Sequence, residues 1–491
     1  MFSHRLTEAL KRALDAIIHG VPALAPDIKE RLLQLLTMTL CGRRYEPLGS
    51  PEAHTGSSLP ADVKGMIERH GHETITLAIH ILGTSDFAGH NLSEVVRVCI
   101  IPYLSDEHAI LRQTAALTAC TLIAVDPVCF QTSDYSVGIL TDMLDRLLTL
   151  AVADQDSSVR RTVLSALDIR FDRHLAHNDC VRYLFIAAND EVFANRDLAV
   201  KHIGRLAALN PAYVMPMLRK TIIQLLNEVE YSIVSRRKEE SAKLLSELIT
   251  STDTLITPYS IPILRCLLPR AQDKCTIEVG SAIMRCLCAL AVVGGEHIAE
   301  STKEIMALVV RTLSDPVATR QRKAALETLG AVCSSTGYLV DPEFEHPKLV
   351  DLITRVLVSE KDRETRREAM RALGILGAVD PYKHAHNLDQ ADEPIQDATS
   401  LNHTDLAAAA ADTNKEEYSS TVVFSALVNI LKTPSLSSHH QNAIEAIMSI
   451  CKTQGLKILG YLPQVMPVFF DVIRKSRSQA QVYHLQQLGL L

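Results

Sequence analysis

The sequence predicts an all-α fold, a solenoid of stacked helix pairs, and three observations carry that prediction. The first is a repeated motif: a basic residue, two residues, then a small one, opening a run with helical apolar spacing. It reads Arg112-Gln-Thr-Ala115, Arg160-Arg-Thr-Val163, Arg196-Asp-Leu-Ala199, Lys238-Glu-Glu-Ser241, Arg322-Lys-Ala-Ala325 and Arg366-Arg-Glu-Ala369. Successive rungs lie 48, 36, 42, 84 and 44 residues apart, and the long step skips a position, Gly280, that still opens a helical run. A period near 40 in a helical sequence marks a HEAT- or armadillo-type array. The second observation is the apolar spacing after each rung, four then three: Ala115, Ala119, Leu122; Ala199, Ile203, Leu206; Ala325, Leu329, Val332; Ala369, Leu373, Leu376. The third is a stop signal. Asp126-Pro127, Asn210-Pro211 and Asp380-Pro381 each fall 14 residues after a rung, where proline ends one helix and suits the first turn of the next.

Taken in order, residues 2–18 and 27–40 read as a first helix pair within 1–44. Residues 45–71, rich in Gly, Pro, Ser and His, read as a loop. Residues 72–381 read as continuous HEAT repeats. Some first helices open with paired prolines, as in Pro211-Ala-Tyr-Val-Met-Pro216, Pro258-Tyr-Ser-Ile-Pro262 and Pro463-Gln-Val-Met-Pro467. Residues 382–418 are acidic and poor in large apolar side chains, and read as a disordered insertion. Repeats resume over 419–491. The chain ends on apolar Gln486-Gln-Leu-Gly-Leu-Leu491 with no polar capping repeat, so the sequence is expected to be part of a longer array.

Composition narrows the function classes. At 491 residues the chain exceeds one ordinary globular core, a limit that a solenoid avoids because each repeat packs only on its neighbours. It is 47% hydrophobic but 4% aromatic, with no Trp, as Leu- and Ala-rich helix layers require. The net charge of −7 is concentrated between Asn387 and Tyr418, where eight acids face Lys415, so the rest is balanced and nucleic acid is not the expected partner. No transmembrane segment and no signal peptide is expected. The 11 cysteines form no CxxC pair and read as reduced, buried, small apolar residues.

No GxGxxG or GxxxxGK[ST] phosphate loop occurs, and the metal-binding and catalytic-loop signatures of protein kinases are missing. His174-Leu-Ala-His177-Asn-Asp179 reads as a polar turn between repeats. No catalytic residue, cofactor site or metal site is assigned. The rung residues Arg112, Arg160, Arg196, Lys238, Arg322 and Arg366 read as structural, each pairing with an acid in the turn just before it, as Asp156 precedes Arg160. A partner-binding basic stripe is the alternative. The acidic insertion reads as a solvated loop. Its alternative is a regulatory segment with Ser419, Ser420 and Thr421 as phosphoacceptors.

One stretch carries a family resemblance. Thr365-Arg-Arg-Glu-Ala-Met-Arg-Ala-Leu-Gly-Ile-Leu-Gly-Ala-Val-Asp-Pro-Tyr-Lys-His384 resembles the HEAT region of the target-of-rapamycin (TOR) protein kinases, within the phosphatidylinositol-kinase-related family. So, in the same order, do Met1-Phe-Ser, Ser165-Ala-Leu-Asp-Ile-Arg-Phe-Asp172, Asn210-Pro-Ala-Tyr-Val-Met-Pro216, Ser335-Thr-Gly-Tyr338 and Leu462-Pro-Gln-Val-Met-Pro467. The resemblance implies an N-terminal scaffold segment of a Ser/Thr kinase that controls growth in response to nutrients. It implies docking of Raptor- and Rictor-type subunits and self-association in a dimeric complex. The kinase domain, with its ATP and Mg, would lie outside this segment. It further implies a cytoplasmic location, with peripheral association to endomembrane or lysosome/vacuole surfaces, and a nuclear presence, through the parent complex. The alternative is a stand-alone HEAT adaptor, such as a phosphatase scaffold or a nuclear transport receptor.

Overall fold

The computed structural model describes residues 25–42, 63–87, 92–125, 134–272, 276–315, 319–336, 346, 348–377, 418–432, 440–454 and 461–475. These residues are helices and short connections, with no strand among them. The chain divides into two compact units, Met1–Thr221 and Ile222–Leu491.

In the first unit the longer helices are α1 (Ala25–Cys41), α2 (Val63–His70), α3 (His72–Thr84), α4 (Ala109–Val125), α5 (Asp134–Ala153), α6 (Ser157–Ala166), α7 (Asn178–Ala187) and α8 (Phe193–Leu209). A further helix, α9 (Pro211–Tyr231), begins in this unit and ends in the second. The layered pattern is that of HEAT-type repeats. Second helices lie side by side, α3 on α4, α4 on α6, and α6 on α8. First helices cover them, α5 on α6 and α7 on α8.

The second unit holds α10 (Ser235–Ser251), α11 (Ser260–Gln272), α12 (Ile277–Gly294), α13 (Thr302–Ser314), α14 (Thr319–Thr336), α15 (Leu349–Ser359), α16 (Arg363–Gly377), α17 (Tyr418–Lys432), α18 (His440–Gln454) and α19 (Leu462–Lys475). Its second helices run α10, α12, α14, α16, α18, each packed on the next. The partners α11 on α12, α13 on α14, α15 on α16 and α17 on α18 complete the pairs.

The small residues after the rungs are where the helices meet. Ala115, Ala119, Ala199, Ala325 and Ala369 are fully buried, as are Ile203, Leu206, Leu329 and Leu373. Each large aliphatic side chain so buried contributes about 1.5–3 kcal/mol. At Gly374 in α16 the helices approach closely: a Cβ would stand 2.9 Å from the Cβ and 3.1 Å from the Cα of Ala446 in α18. Helix α12 is long and apolar enough to cross a membrane by length and composition. Its apolar side chains are used inside the unit, where Ile283, Leu287, Leu290 and Ala291 are buried and α10 and α14 flank it.

Asn210-Pro211 acts as a stop: α8 ends at Leu209, Asn210 leaves helical geometry, and Pro211 starts α9. The other Asp-Pro stops lie outside the described residues, as do the first helix expected over 2–18 and the acidic insertion up to residue 417. The loop expected over 45–71 needs correction, because its end is helical. Residues 63–70 form α2, held by the burial of Met66 and closed by the Gly71 N–H on the Ile67 carbonyl, 2.8 Å. Gly71, at φ 79, then turns the chain directly into α3, a conformation that a residue with Cβ rarely adopts. The Gly, Pro and Ser content upstream concealed this short amphipathic turn.

Candidate functional site: the rung ladder

Every rung is the fourth residue of its helix: Arg112 in α4, Arg160 in α6, Arg196 in α8, Lys238 in α10, Gly280 in α12, Arg322 in α14 and Arg366 in α16. A cation there sits close to the positive end of the helix dipole, so it needs acceptors. The first are backbone carbonyls upstream. Arg112, Arg160 and Arg196 each donate through Nη1 to the carbonyl six residues before, on Asp106, Asp154 and Asp190, at 2.7–2.8 Å. Arg366 does so through Nε to Glu360, 2.6 Å. Arg322 reaches the Asp315 carbonyl and Lys238 the Glu230 carbonyl.

The second acceptors are carboxylates of the following repeat. Arg112 grips Asp154 through Nε and Nη2 at 2.7 and 2.8 Å. Arg160 grips Asp190 at 2.6 and 3.1 Å and Glu191 at 2.8 Å. Arg322 meets Glu360 at 3.1 Å. One acid therefore serves two rungs: Asp154, Asp190 and Glu360 offer the carboxylate to the rung behind and the carbonyl to the rung ahead. The pairing expected between Arg160 and Asp156 is not the one formed. Asp156 instead caps α6, accepting from the Ser158 N–H at 2.8 Å. Adjacency in sequence suggested the wrong acid because the correct one arrives 30 residues later, across a whole helix.

These pairs are largely out of water, with side-chain exposures of 8% for Arg160 and 4% for Asp190. The Asp190 hydrogen bonds raise the pKa of Arg160 above its usual value, against the opposing effect of burial. Burial acts to raise the pKa of Asp190, but the Arg160, Val192 and Asn195 hydrogen bonds outweigh it and leave the carboxyl below the usual range. Removing one partner of such a pair strands a buried charge, which costs about 3–5 kcal/mol in fully buried cases.

A second ladder runs deeper. At Arg112, Arg196, Gly280 and Arg322 the side chain six positions later meets the backbone carbonyl of the neighbouring second helix. Thr118 Oγ1 donates to Ile79 at 3.0 Å, Cys286 Sγ to Ala242 at 2.9 Å, and Thr328 Oγ1 to Met284 at 3.0 Å. His202 Nε2 lies 2.7 Å from the Leu164 carbonyl. Residues one before the rung do likewise: Asn195 Nδ2 on Ser157 and Gln321 Nε2 on Ile277. Cys286 is in phase with Gly280, so that position is a rung that has lost its side chain. The sequence signal was a lone polar or thiol group at a constant offset on an apolar face.

His202 also accepts at Nδ1 from Arg205 Nη2, 2.8 Å, and Arg205 in turn pairs with Asp172 at 2.9 and 3.1 Å. That donor assigns the ring proton to Nε2, the atom facing the Leu164 carbonyl. Burial, and then the Arg205 charge, hold the His202 pKa below 6.5. The thiols are equally quiet: burial pushes Cys120 and Cys286 up to about 12 and Cys288 up to about 11. His177 lies in the turn before α7, whereas His174, expected in the same polar turn, falls inside the short helix Asp172–Leu175. Ser419, Ser420 and Thr421 fall in the first turn of α17, and their side chains lie outside the described residues.

The ladder binds helices to each other and leaves the outer turns to do other work. At the end of α9 and just beyond it, Tyr231, Ile233 and Val234 turn large apolar surface outward, with Ile233 at 99% exposure. Groups of this kind at a turn are suited to a protein partner.

Residues 339–491 match the family model described as the serine/threonine-protein kinase mTOR domain. Over its whole length the chain is 39% identical to serine/threonine-protein kinase tor1 of Schizosaccharomyces pombe, covering 21% of that protein. It is 35% identical to serine/threonine-protein kinase TOR2 of Saccharomyces cerevisiae and 33% identical to serine/threonine-protein kinase TOR of Arabidopsis thaliana, again over its whole length and 20% and 21% of theirs. The chain thus spans about a fifth of the length of the curated relatives it matches. Among solved structures it resembles Kap95p (TM-score 0.54, 12% identity, 87% of this chain and 57% of that one). It also resembles importin beta (TM-score 0.50, 15% identity, 94% and 56%). At such identities the likeness shows the fold alone.

Proposed function

We propose a scaffolding function for this chain, which belongs to the target-of-rapamycin family of serine/threonine protein kinases. In the parent kinase it is a segment of the HEAT array that docks Raptor- and Rictor-type subunits and helps to set the geometry of a dimeric complex. The phosphoryl transfer, with ATP and Mg, belongs to a kinase domain elsewhere in the parent chain, and the output is growth control in response to nutrients. The complex works in the cytoplasm, on endomembrane or lysosome/vacuole surfaces, and in the nucleus. Ser419, Ser420 and Thr421, beside the acidic insertion, are phosphoacceptors that would change the charge at the start of α17.

The observation that carries this reading is the division of labour in the array. Polar side chains in the ladder are spent on carbonyls and carboxylates of neighbouring repeats, while Tyr231, Ile233 and Val234 face solvent. Purified chain titrated with a Raptor-type and a Rictor-type subunit should bind at least one of them saturably. Folded chain that binds neither would remove the docking role.

A further inference from the structure

Three metal-ligand side chains meet in the first unit, where two repeats adjoin. His72 is the first residue of α3, delivered there by the left-handed Gly71. Asp106 and His108 lie in the turn that leads into α4. One ring nitrogen of each histidine and one carboxylate oxygen of Asp106 all fall within 4.8 Å of one another. The imidazole centroids are 3.6 Å apart with planes inclined by 39°.

Two further facts set this cluster apart from an ordinary polar turn. His72 Nδ1 is buried and has no hydrogen-bond partner among the described residues. Native structures rarely leave such an atom unsatisfied, and each case calls for an explanation, an unplaced ion among them. The carboxylate is already oriented: Asp106 Oδ1 accepts the His108 N–H at 2.8 Å and stands 3.4 Å from His108 Nδ1. The nearby Arg112 guanidinium donates to the Asp106 and Glu107 carbonyls, and its charge is matched by the bidentate Asp154 carboxylate.

We propose that His72, Asp106 and His108 bind a zinc ion, with water completing a four-coordinate shell. Two imidazoles and a carboxylate are a zinc ligand set, and Zn–N and Zn–O distances of about 2.0–2.2 Å require the three donors to close to roughly 3.4 Å apart. Side-chain rotation of about an ångström achieves that, and the exposed His108 has room to make it. The ion staples the start of α3 to the turn before α4. It also gives the orphaned region around His72 a reason to be polar.

The test uses the whole 491-residue chain, without an affinity tag and stripped with chelator. Titration with Zn²⁺ alone should show one strong site and a rise in melting temperature. The exposed ligand is the safest to remove: His108→Ala should leave the metal-free melting temperature unchanged, weaken Zn²⁺ binding at least about tenfold and abolish the thermal shift. Asp106→Asn, which keeps the size, should do the same. Co²⁺ in place of Zn²⁺ should give visible d–d bands without the near-ultraviolet band of thiolate ligation. The proposal is overturned if Zn²⁺ gives no thermal shift, if both variants bind it as wild type does, or if the Co²⁺ spectrum reports cysteine ligands.

Discussion

Between Arg112 and Arg196 neighbouring rungs are joined by buried guanidinium–carboxylate pairs; around Gly280 the rung has no side chain at all. There the join is made by Cys286, Gln321 and Thr328 donating to backbone carbonyls, and by apolar packing of α10, α12 and α14. Both stretches stack in the same way, so the helix contacts do not depend on the charges. Apolar burial supplies the stacking energy. The Arg–carboxylate bridge fixes register between repeats at Arg112, Arg160 and Arg322, and an arginine near a positive helix end needs acceptors, carbonyl or carboxylate.

Substitutions in each stretch separate the two contributions. Ala369→Arg attacks what both stretches share, forcing a long cation into a fully buried helix contact; it should destabilise the second unit by at least about 3 kcal/mol, read by chemical denaturation. Arg160→Ala acts on the charged stretch alone. It leaves Asp190 buried and unmatched, and should cost about 3 kcal/mol in the same measurement. Repairing that variant with Asp190→Asn should recover part of the loss, because the coupling belongs to the pair. Thr328→Val tests the stretch around Gly280. It removes the bond to Met284 while keeping shape, and should cost about 1 kcal/mol. The half-exposed Arg270–Glu230 pair should contribute less than any of these, and Arg270→Ala should lower the melting temperature only slightly.

The acid dependence follows from His202. Its folded pKa lies below 6.5, so as pH falls from about 6.5 the unfolded chain takes up a proton before the folded chain does. Stability therefore drops with falling pH from 6.5 down to the folded pKa, and is fully present above 6.5. His202→Asn should flatten that part of the stability profile. An unchanged slope would mean that burial and the Arg205 charge do not keep the ring neutral.

Much of this framework was legible in the residues. The rung spacing located the openings of seven helices, Gly280 included, and the four-then-three apolar pattern marked the buried faces. The partners were not legible. Asp154, Asp190 and Glu360 find their arginines only after an intervening helix has set the distance, and the steps between rungs vary with the length of those helices. The nearest acid was therefore a poor guide, since short-range acids such as Asp156 are drawn to helix caps. Thr118, His202, Cys286 and Thr328 resemble any polar residue on an apolar helix until the neighbouring carbonyl is in place. The His72, Asp106 and His108 cluster joins residues more than 30 positions apart and has no compact spacing to betray it.

The most direct test separates frame from surface. A chain carrying Tyr231→Asp, Ile233→Asp and Val234→Asp, changed at exposed turn positions, should melt at the wild-type temperature. If the array is a scaffold whose turns dock partners, this variant should bind a Raptor- or Rictor-type subunit at least about tenfold more weakly, a loss of about 1.4 kcal/mol. Undiminished binding, with the fold intact, would contradict the account of where this chain meets its partners.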